Sequence, residues 1–297
     1  MPLELPDYNL SEEQLEFRDT LRRFFEENAP MTEVRAVMES EPGVSRGLWK
    51  QVCEEFGLPG LAIGEEHGGQ GFAMKELAIA LGETGRALAP VPLFAVAGLA
   101  AHAIEAVTTS SDRNAWLGPI ANGMLATLAW VESSGRWSVD ATTTEVHADG
   151  SLSGEKCFVL NADAAERFFV VAREAGSHGD EGLGLYAVEA AAPGLSLCRV
   201  ESLDPTRRLA TLRLDRAQAR AVGEPHAAGP GLAVALEEAT ALHCAEMVGG
   251  MQKVLETAVD YASTRYQFSR PIGSFQAIKH KAADMLIDFE GARTATA

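Results

Sequence analysis

Residues 261–285, YASTRYQFSRPIGSFQAIKHKAADM, form a basic stretch in a chain whose formal net charge is −17. Four cations accompany a single acid; the five residues are Arg265, Arg270, Lys279, Lys281 and Asp284. An arginine can bind a diphosphate through paired hydrogen bonds, so the stretch indicates a site for a phosphate-bearing ligand. The simpler interpretation is a charged helix end, which the helix dipole favours, followed by a solvated Lys-His-Lys face.

An aromatic ring and two amides lie among these cations. Phe268 can cover a flat ring, and Gln267 and Gln276 can read the polar edges of a nucleotide. An isolated arginine would suit the simpler interpretation. The combination favours a ligand that carries both a diphosphate and a ring.

Helical patterns flank the Pro271–Ile272–Gly273 turn on both sides. Residues 231–268 could form one long helix, in which Gly249–Gly250 is either a close-packing point or a weak spot. After the turn, apolar residues recur at helical spacing, namely Phe275, Ile278, Ala282, Met285, Leu286 and Phe289. Two helices joined by a turn usually need another pair to close a bundle. We therefore expect a partner chain or a longer C-terminal segment to complete it.

The N-terminal third also has helical patterns. Ser11 and Gln14 form a capping box, and an apolar stripe follows at Phe17, Leu21, Phe24 and Phe25. Further helices are predicted around residues 48–56 and over residues 73–88. The sequence GEEHGGQG at residues 64–71 lacks the spacing of a phosphate-binding loop and is interpreted as a plain turn. Residues 1–123 are therefore predicted to form a helical domain.

Residues 124–226 have a different pattern. Short runs rich in β-forming residues alternate with Gly, Asp, Ser or Pro, as in MLATLAWVES, ERFFVVAREA and LATLRLD. Such regular spacing predicts an antiparallel sandwich or barrel. The last section, residues 227–297, is helical again, so the fold class is α+β with three parts.

Composition excludes several classes of function. The net charge of −17 repels nucleic acid and anionic membrane surfaces, and the apolar stretches are too short and too interrupted to span a bilayer. The N-terminal residues 1–14 lack a signal-peptide pattern. The four cysteines form no CxxC pair and the seven histidines lack zinc-protease spacing, so we expect no metal site and a reduced, cytoplasmic protein.

The basic stretch resembles the acyl-CoA dehydrogenase signature, R-x-x-F-G-x-x-I-x-x-x-Q-x-x-x-x-x-x-A-D-M. Arg265, Phe268, Ile272 and Gln276 have the signature spacing, and Ala283–Asp284–Met285 completes it. Ser269 stands where the family usually has glycine. The resemblance implies a helical N-terminal domain, a middle β-barrel and a C-terminal helical bundle.

The resemblance also implies FAD as cofactor. In relatives the arginine contacts the FAD pyrophosphate, the phenylalanine packs nearby and the glutamine reaches the adenine side, commonly for the flavin of a neighbouring subunit. The residues that carry over as flavin contacts are Arg265, Gln267, Phe268, Gln276 and Ile278. A homo- or hetero-oligomer, dimeric or tetrameric, would then share FAD across its interface.

Two further segments resemble the strands that contact the flavin ring in relatives. They are WVESSGRWSVD at residues 130–140 and GEKCFVLN at residues 154–161. The implied ring contacts are Trp130, Val131, Phe158 and Leu160. Val131 and Leu160 replace threonines, which removes side-chain hydrogen bonds to the ring edge, whereas Phe158 replaces a tryptophan and can still stack.

The catalytic base is not identified by the sequence. The family uses a glutamate that lies either beyond residue 297 or on the long helix, at the position of Ala239. Glu237 and Glu238 precede that position, but one residue along a helix rotates a side chain by about 100°. Glu246, in a usually apolar part of the helix, is either a surface charge or a buried partner of Arg265 or His243.

The resemblance implies an FAD-dependent acyl-CoA dehydrogenase, or one subunit of such an enzyme. It would oxidise an acyl-CoA at Cα–Cβ to the trans-2-enoyl-CoA and pass electrons to an electron-transferring flavoprotein. One alternative is a non-catalytic partner in a heteromeric dehydrogenase, as in relatives acting on steroid side-chain thioesters. Another is an acyl-CoA-binding scaffold without redox activity.

Overall fold

The structure is a computed structural model that describes residues 10–296. Residue contacts group the described chain into two compact units. The first unit holds residues 10–31, Ala78–Ala89 and 241–296, and the second holds Thr32–Leu77 and Pro90–Thr240. Most of the stretch on which the signal-peptide expectation rests, residues 1–9, lies outside the described residues, as does Ala297. The three-part division of the chain at residues 123 and 226 stays a prediction.

The helical sections form helices as their patterns predict. The α-helices are α1 (Glu12–Asn28), α2 (Met31–Glu39), α3 (Arg46–Phe56), α4 (Met74–Ala87), α5 (His102–Val107), α6 (Ser110–Ala121), α7 (Gly229–Thr264) and α8 (Gln276–Thr296). A π-helix, Phe94–Ala101, leads directly into α5, and all its residues are buried. The predicted capping box is confirmed, because Ser11 Oγ accepts a hydrogen bond from the Gln14 amide and Gln14 Oε1 accepts one from the Ser11 amide.

Helix α7 confirms the prediction of one continuous helix, with two differences at its ends. It begins at Gly229, two residues before the predicted start, and ends at Thr264 rather than residue 268. The end differs because the next residues pair as a short hairpin of strands β9 (Tyr266–Gln267) and β10 (Arg270–Pro271).

Helices α4 and α7 approach each other closely within the first unit. At Gly249 an added Cβ atom would lie 1.8 Å from the carbonyl oxygen of Gly82. Arg22 and Glu83 form a bidentate salt bridge nearby, with N–O distances of 3.0 and 2.6 Å. Of the two interpretations of Gly249–Gly250, the close-packing point is therefore confirmed.

The second unit contains the β domain. The numbered strands are β1 (Ala126–Ala129), β2 (Glu145–Val146), β3 (Leu152–Leu160), β4 (Arg167–Glu174), β5 (Leu183–Glu189), β6 (Leu195–Val200), β7 (Leu209–Ala217) and β8 (Arg220–Val222). They form one sheet in the order β6-β7-β3-β2-β4-β5-β8, and β1 also pairs with β4. Most pairings are antiparallel, but β1 and β2 each run parallel to β4.

Alternating burial along the strands places one face of the sheet in the core. On β7, for example, Ala210, Leu212 and Leu214 are buried and alternate with more exposed residues. The central strand β4 is buried continuously from Phe168 to Arg173, as expected for a strand covered on both faces. The predicted fold class, helical then β then helical, is confirmed.

Candidate functional site

The hairpin after α7 projects an aromatic side chain. Arg270 lies opposite Gln267 in its ladder, and the two connecting residues, Phe268 and Ser269, have left-handed φ values of 52° and 63°. Two-residue hairpin turns of this hand match strand twist and favour glycine or asparagine. Ser269 thus adopts the backbone conformation for which glycine is best suited, and Phe268 at the tip is 86% exposed.

The polar side chains around this tip are available for a ligand. Arg265, Gln267 and Gln276 are exposed, and their side chains make no hydrogen bond or ion pair with another described residue. Arg270 instead lies over the ring of Phe275, with its guanidinium carbon 4.0 Å from the ring centroid. Residues 265–276, which include the hairpin, therefore present a free guanidinium, two free amides and an exposed ring in one short segment.

Ile278 has a different environment from the other predicted contacts of this stretch. It lies on the first turn of α8 and lines a groove of about 290 Å³ between α7 and α8, with Leu255, Val259 and Leu286 among its neighbours. Its side chain is half-buried against its own chain. Its role as a flavin contact stays a prediction.

The structure brings the two predicted ring-contact segments together in the second unit. Residues 130–131 follow strand β1, and the Cys157 amide donates a 2.8 Å hydrogen bond to the Val131 carbonyl. Val131 is buried, Leu160 and Trp130 are half-buried, and Phe158 is 40% exposed. Phe158 is thus the predicted ring contact with the most accessible aromatic face.

A buried ion pair holds these two segments in register. Lys156 is fully buried, and its Nζ lies 2.7 Å from Glu132 Oε1. The carboxylate also accepts hydrogen bonds from the backbone amides and hydroxyls of Thr143 and Thr144, at 2.5 to 2.9 Å. The chain therefore surrounds Glu132 with five donor groups.

Burial and pairing act against each other in this ion pair. Burial disfavours the carboxylate, but the charge of Lys156 and the hydrogen bonds outweigh it, so the pKa of Glu132 falls to about 2. Burial also lowers the pKa of Lys156 to about 8, against the opposing effect of Glu132. Both groups are charged between these limits, so the pair links the two segments at neutral pH.

Trp137 lies beside the predicted ring contacts, and sequence reasoning missed it. Its indole stacks on Phe158, with ring centroids 6.3 Å apart and planes 17° apart, and Trp130 meets its edge at 5.7 Å. It is 66% exposed. The available signal was a tryptophan among the small and polar residues of SSGRWS, because tryptophan is highly buried on average.

Comparison with known proteins shows the family to which the chain belongs. Its residues 11–124 match the model of the acyl-CoA dehydrogenase N-terminal domain, and residues 231–297 match that of the acyl-CoA dehydrogenase C-terminal domain. Together these matches cover more than half of the chain. The chain belongs to the acyl-CoA dehydrogenase family.

Individual relatives of this family agree with that assignment. The acyl-CoA dehydrogenase IpdE2 of Mycobacterium tuberculosis is 34% identical over 96% of the chain and 75% of the relative. A solved Tcur3481-Tcur3483 steroid ACAD variant is 33% identical with a TM-score of 0.83, covering 96% of this chain and 76% of that one. The ChsE4-ChsE5 complex from Mycobacterium tuberculosis shares the fold, with a TM-score of 0.84, 24% identity, and coverage of 98% and 78%.

The described part of this acyl-CoA dehydrogenase family chain has no carboxylate at the helix position used by some relatives for the base. Ala239 occupies it and is buried, whereas Glu237 and Glu238 are exposed on α7. Glu246 is largely buried, and its Oε2 lies 3.2 Å from His243 Nδ1, so its partner is His243 rather than Arg265. No group in the described chain is therefore assigned as the base.

Acyl-CoA dehydrogenases normally bind FAD, and the two candidate segments differ in how well they suit it. The free guanidinium, amides and ring of the hairpin fit a dinucleotide. The ring-contact segments offer the apolar side chains of Val131 and Leu160 in place of hydroxyls, and Trp137 stacks on one face of Phe158. Among the described residues no side-chain cluster suits a metal ion, and no helix is long and apolar enough to cross a membrane.

Proposed function

We propose that this chain is a subunit of an FAD-dependent acyl-CoA dehydrogenase that converts an acyl-CoA to the trans-2-enoyl-CoA. Its hairpin would contact an FAD held by an adjoining chain. The observation that carries the proposal is the exposed tip at Phe268 beside the free guanidinium of Arg265. Exposed groups that have no partner in their own chain can bind a ligand that an adjoining chain holds.

The exposed residues of the hairpin and the start of α8 have distinct parts in this proposal. Arg265 would hold the diphosphate through paired, charge-assisted hydrogen bonds, and Phe268 would cover an apolar part of the nucleotide. Gln267 and Gln276 each offer an amide donor and acceptor to the polar edges. When bound, FAD supplies the acceptor for the hydride that leaves Cβ.

The second unit would contribute through its backbone. With Val131 and Leu160 in place of threonines, the hydrogen bonds to the edge of a ring ligand would come from main-chain groups. The Glu132–Lys156 pair would keep the two segments in position for this role. The family's usual acceptor, an electron-transferring flavoprotein, would receive the electrons.

A second candidate function is a partner subunit that does not itself carry the base. Ala239 at the helix position of the base, with exposed Glu237 and Glu238, favours it. Solved relatives named as two-component assemblies, Tcur3481-Tcur3483 and ChsE4-ChsE5, add support for a hetero-oligomer. The steroid ACAD relative extends the proposal to a bulky acyl group such as a steroid side-chain thioester.

Native mass and the visible spectrum separate these functions. The protein is purified alone and after co-expression with candidate partner chains. Flavin absorbance in the chain alone, bleached by an acyl-CoA without oxygen, supports a complete enzyme. Flavin only in a hetero-oligomer supports the partner subunit, and colourless protein that binds acyl-CoA in every preparation would contradict both.

The Arg265→Ala variant tests the hairpin directly. We expect the Kd for FAD of the assembled protein to rise about 10- to 100-fold, because a charge-assisted contact to the diphosphate is lost. Equilibrium dialysis with absorbance detection measures the Kd. Lys281→Ala is the matched control, since it removes another exposed cation from the same stretch. Equal affinity in the two variants would refute the hairpin assignment.

A further inference from the structure

The aromatic contact between Trp137 and Phe158 bears on how a ring can enter the second unit. Phe158 has a left-handed φ of 56°, at a register irregularity of β3 between Lys156 and Val159. Such a backbone conformation is sparsely populated by bulky residues and is often found at functional sites. At this irregularity the Phe158 ring is 40% exposed. The exposed position of the ring therefore comes with a strained backbone.

One face of the Phe158 ring already contacts another aromatic side chain, although the residue as a whole remains 40% exposed. The 17° angle and 6.3 Å centroid separation from Trp137 lie within the range of offset stacking. A flavin or another flat ring would use the same kind of contact with Phe158. Two rings cannot occupy one face, so Trp137 competes with any ring ligand that stacks there.

The segment that carries Trp137 is anchored at both ends and exposed between them. Residues 133–138 are all exposed, whereas Glu132 and Val139 on either side are buried. Glu132 is held by Lys156, and the Asp140 carbonyl accepts a 3.0 Å hydrogen bond from the buried Arg173. Buried residues at both ends therefore anchor a short segment that is itself exposed to solvent.

Few contacts oppose movement of this segment. Arg136 pairs with Asp140 at 3.2 Å, but both side chains reach solvent, and exposed ion pairs contribute little to stability. The Gly135 amide donates to the Glu132 carbonyl, which closes the turn locally and can move with it. The stacking of Trp137 on Phe158 links the segment to β3, and Trp137 also meets Trp130 edge-on.

We propose that Trp137 is a gate: it covers the ring-binding face of Phe158 and must leave it before a flavin or similar flat ring can stack there. This inference rests on the proposed function and on the prediction from the family resemblance that Phe158 contacts the flavin ring. The gate accounts for two observations together: Phe158 has a strained backbone and an exposed ring, and Trp137 stacks on that ring. It makes Trp137 a residue that weakens ring binding.

The Trp137→Ala variant tests the gate by FAD binding. The Kd for FAD of the assembled, flavin-free protein should fall about two- to tenfold, because one stacking contact no longer has to be broken. Trp137→Phe keeps an aromatic cover and should stay near wild type. Phe72→Ala removes another exposed aromatic of the second unit and should leave the Kd unchanged. Equal or weaker binding by Trp137→Ala would overturn the gate.

A second measurement follows the indole itself. The chain has four tryptophans, so 5-fluorotryptophan labelling gives a small set of ¹⁹F resonances, of which Trp137 is assigned by its loss in Trp137→Phe. Saturation with FAD should shift this resonance; a resonance that stays in place while FAD binds would overturn the gate alone. Absence of FAD binding in every variant and assembly would instead overturn the proposed function, and the gate with it.

Discussion

Replacing Lys156 by methionine is expected to lower the free energy of unfolding by about 3–5 kcal/mol. The substitution nearly preserves side-chain volume, but it leaves the Glu132 carboxylate buried without its counter-ion. The hydroxyls and amides of Thr143 and Thr144 still donate to the carboxylate, yet they carry no full charge. Urea-induced unfolding, followed by circular dichroism, measures the loss.

A neighbouring ion pair provides the matched control for this prediction. Glu155 precedes Lys156 on β3 and pairs with Arg213 on β7 at 3.1 Å, with both side chains exposed. Arg213→Met should change stability by at most about 1 kcal/mol, because water screens that pair. A double variant, Glu132→Gln with Lys156→Met, should lose less than the sum of the single variants. Equal losses from Lys156→Met and Arg213→Met would contradict the role of burial.

The pH dependence of stability should separate wild type from Glu132→Gln. The folded pKa of Glu132, about 2, lies below its ordinary value of 4.5, so its stabilising contribution is complete above pH 4.5 and is lost as the pH falls towards 2. The stability advantage of wild type over Glu132→Gln should therefore shrink in this range, by at most about 1.4 kcal/mol per pH unit. Unfolding measured from about pH 6 to about pH 3 checks it; a constant difference would contradict the assignment.

Local sequence patterns were sufficient to predict most elements of the fold. The capping box at Ser11 and Gln14 requires only residues three apart, and α7 follows from a long helical pattern. The helical pattern extends to residue 268, four residues beyond the end of α7, because the pairing of Arg270 with Gln267 replaces the last helical turn. The pairing order of the β strands was not predicted, because it depends on contacts between residues far apart in the chain.

The candidate site was predictable only where its residues are close in sequence. Arg265, Gln267 and Phe268 lie in one motif, and the structure places them on one hairpin. The ion pair of Glu132 and Lys156 joins residues 24 positions apart, and no local sequence pattern pairs them. The stacking of Trp137 on Phe158 likewise arises from a long-range approach that no local pattern encodes.

Gly249→Ala is expected to destabilise the protein by about 2–3 kcal/mol, because overpacking a close contact forces the backbone to move. An added Cβ would lie 1.8 Å from the Gly82 carbonyl oxygen and 2.7 Å from its carbonyl carbon. These are backbone atoms of α4, so no side-chain rotation can relieve the clash. Thermal unfolding, compared with urea-induced unfolding, measures the change.

The adjacent glycine turns this prediction into a comparison of equal substitutions. At Gly250 the nearest neighbour of an added Cβ is the Gly85 carbonyl oxygen at 3.7 Å, an ordinary contact distance. Gly250→Ala should therefore stabilise α7 by about 0.5–1 kcal/mol, since alanine restricts the unfolded chain and favours helix. Both variants gain this helix-forming advantage, so the difference between them reports the α4–α7 contact alone. If Gly249→Ala were as stable as Gly250→Ala, the two helices would have to lie further apart than the structure places them.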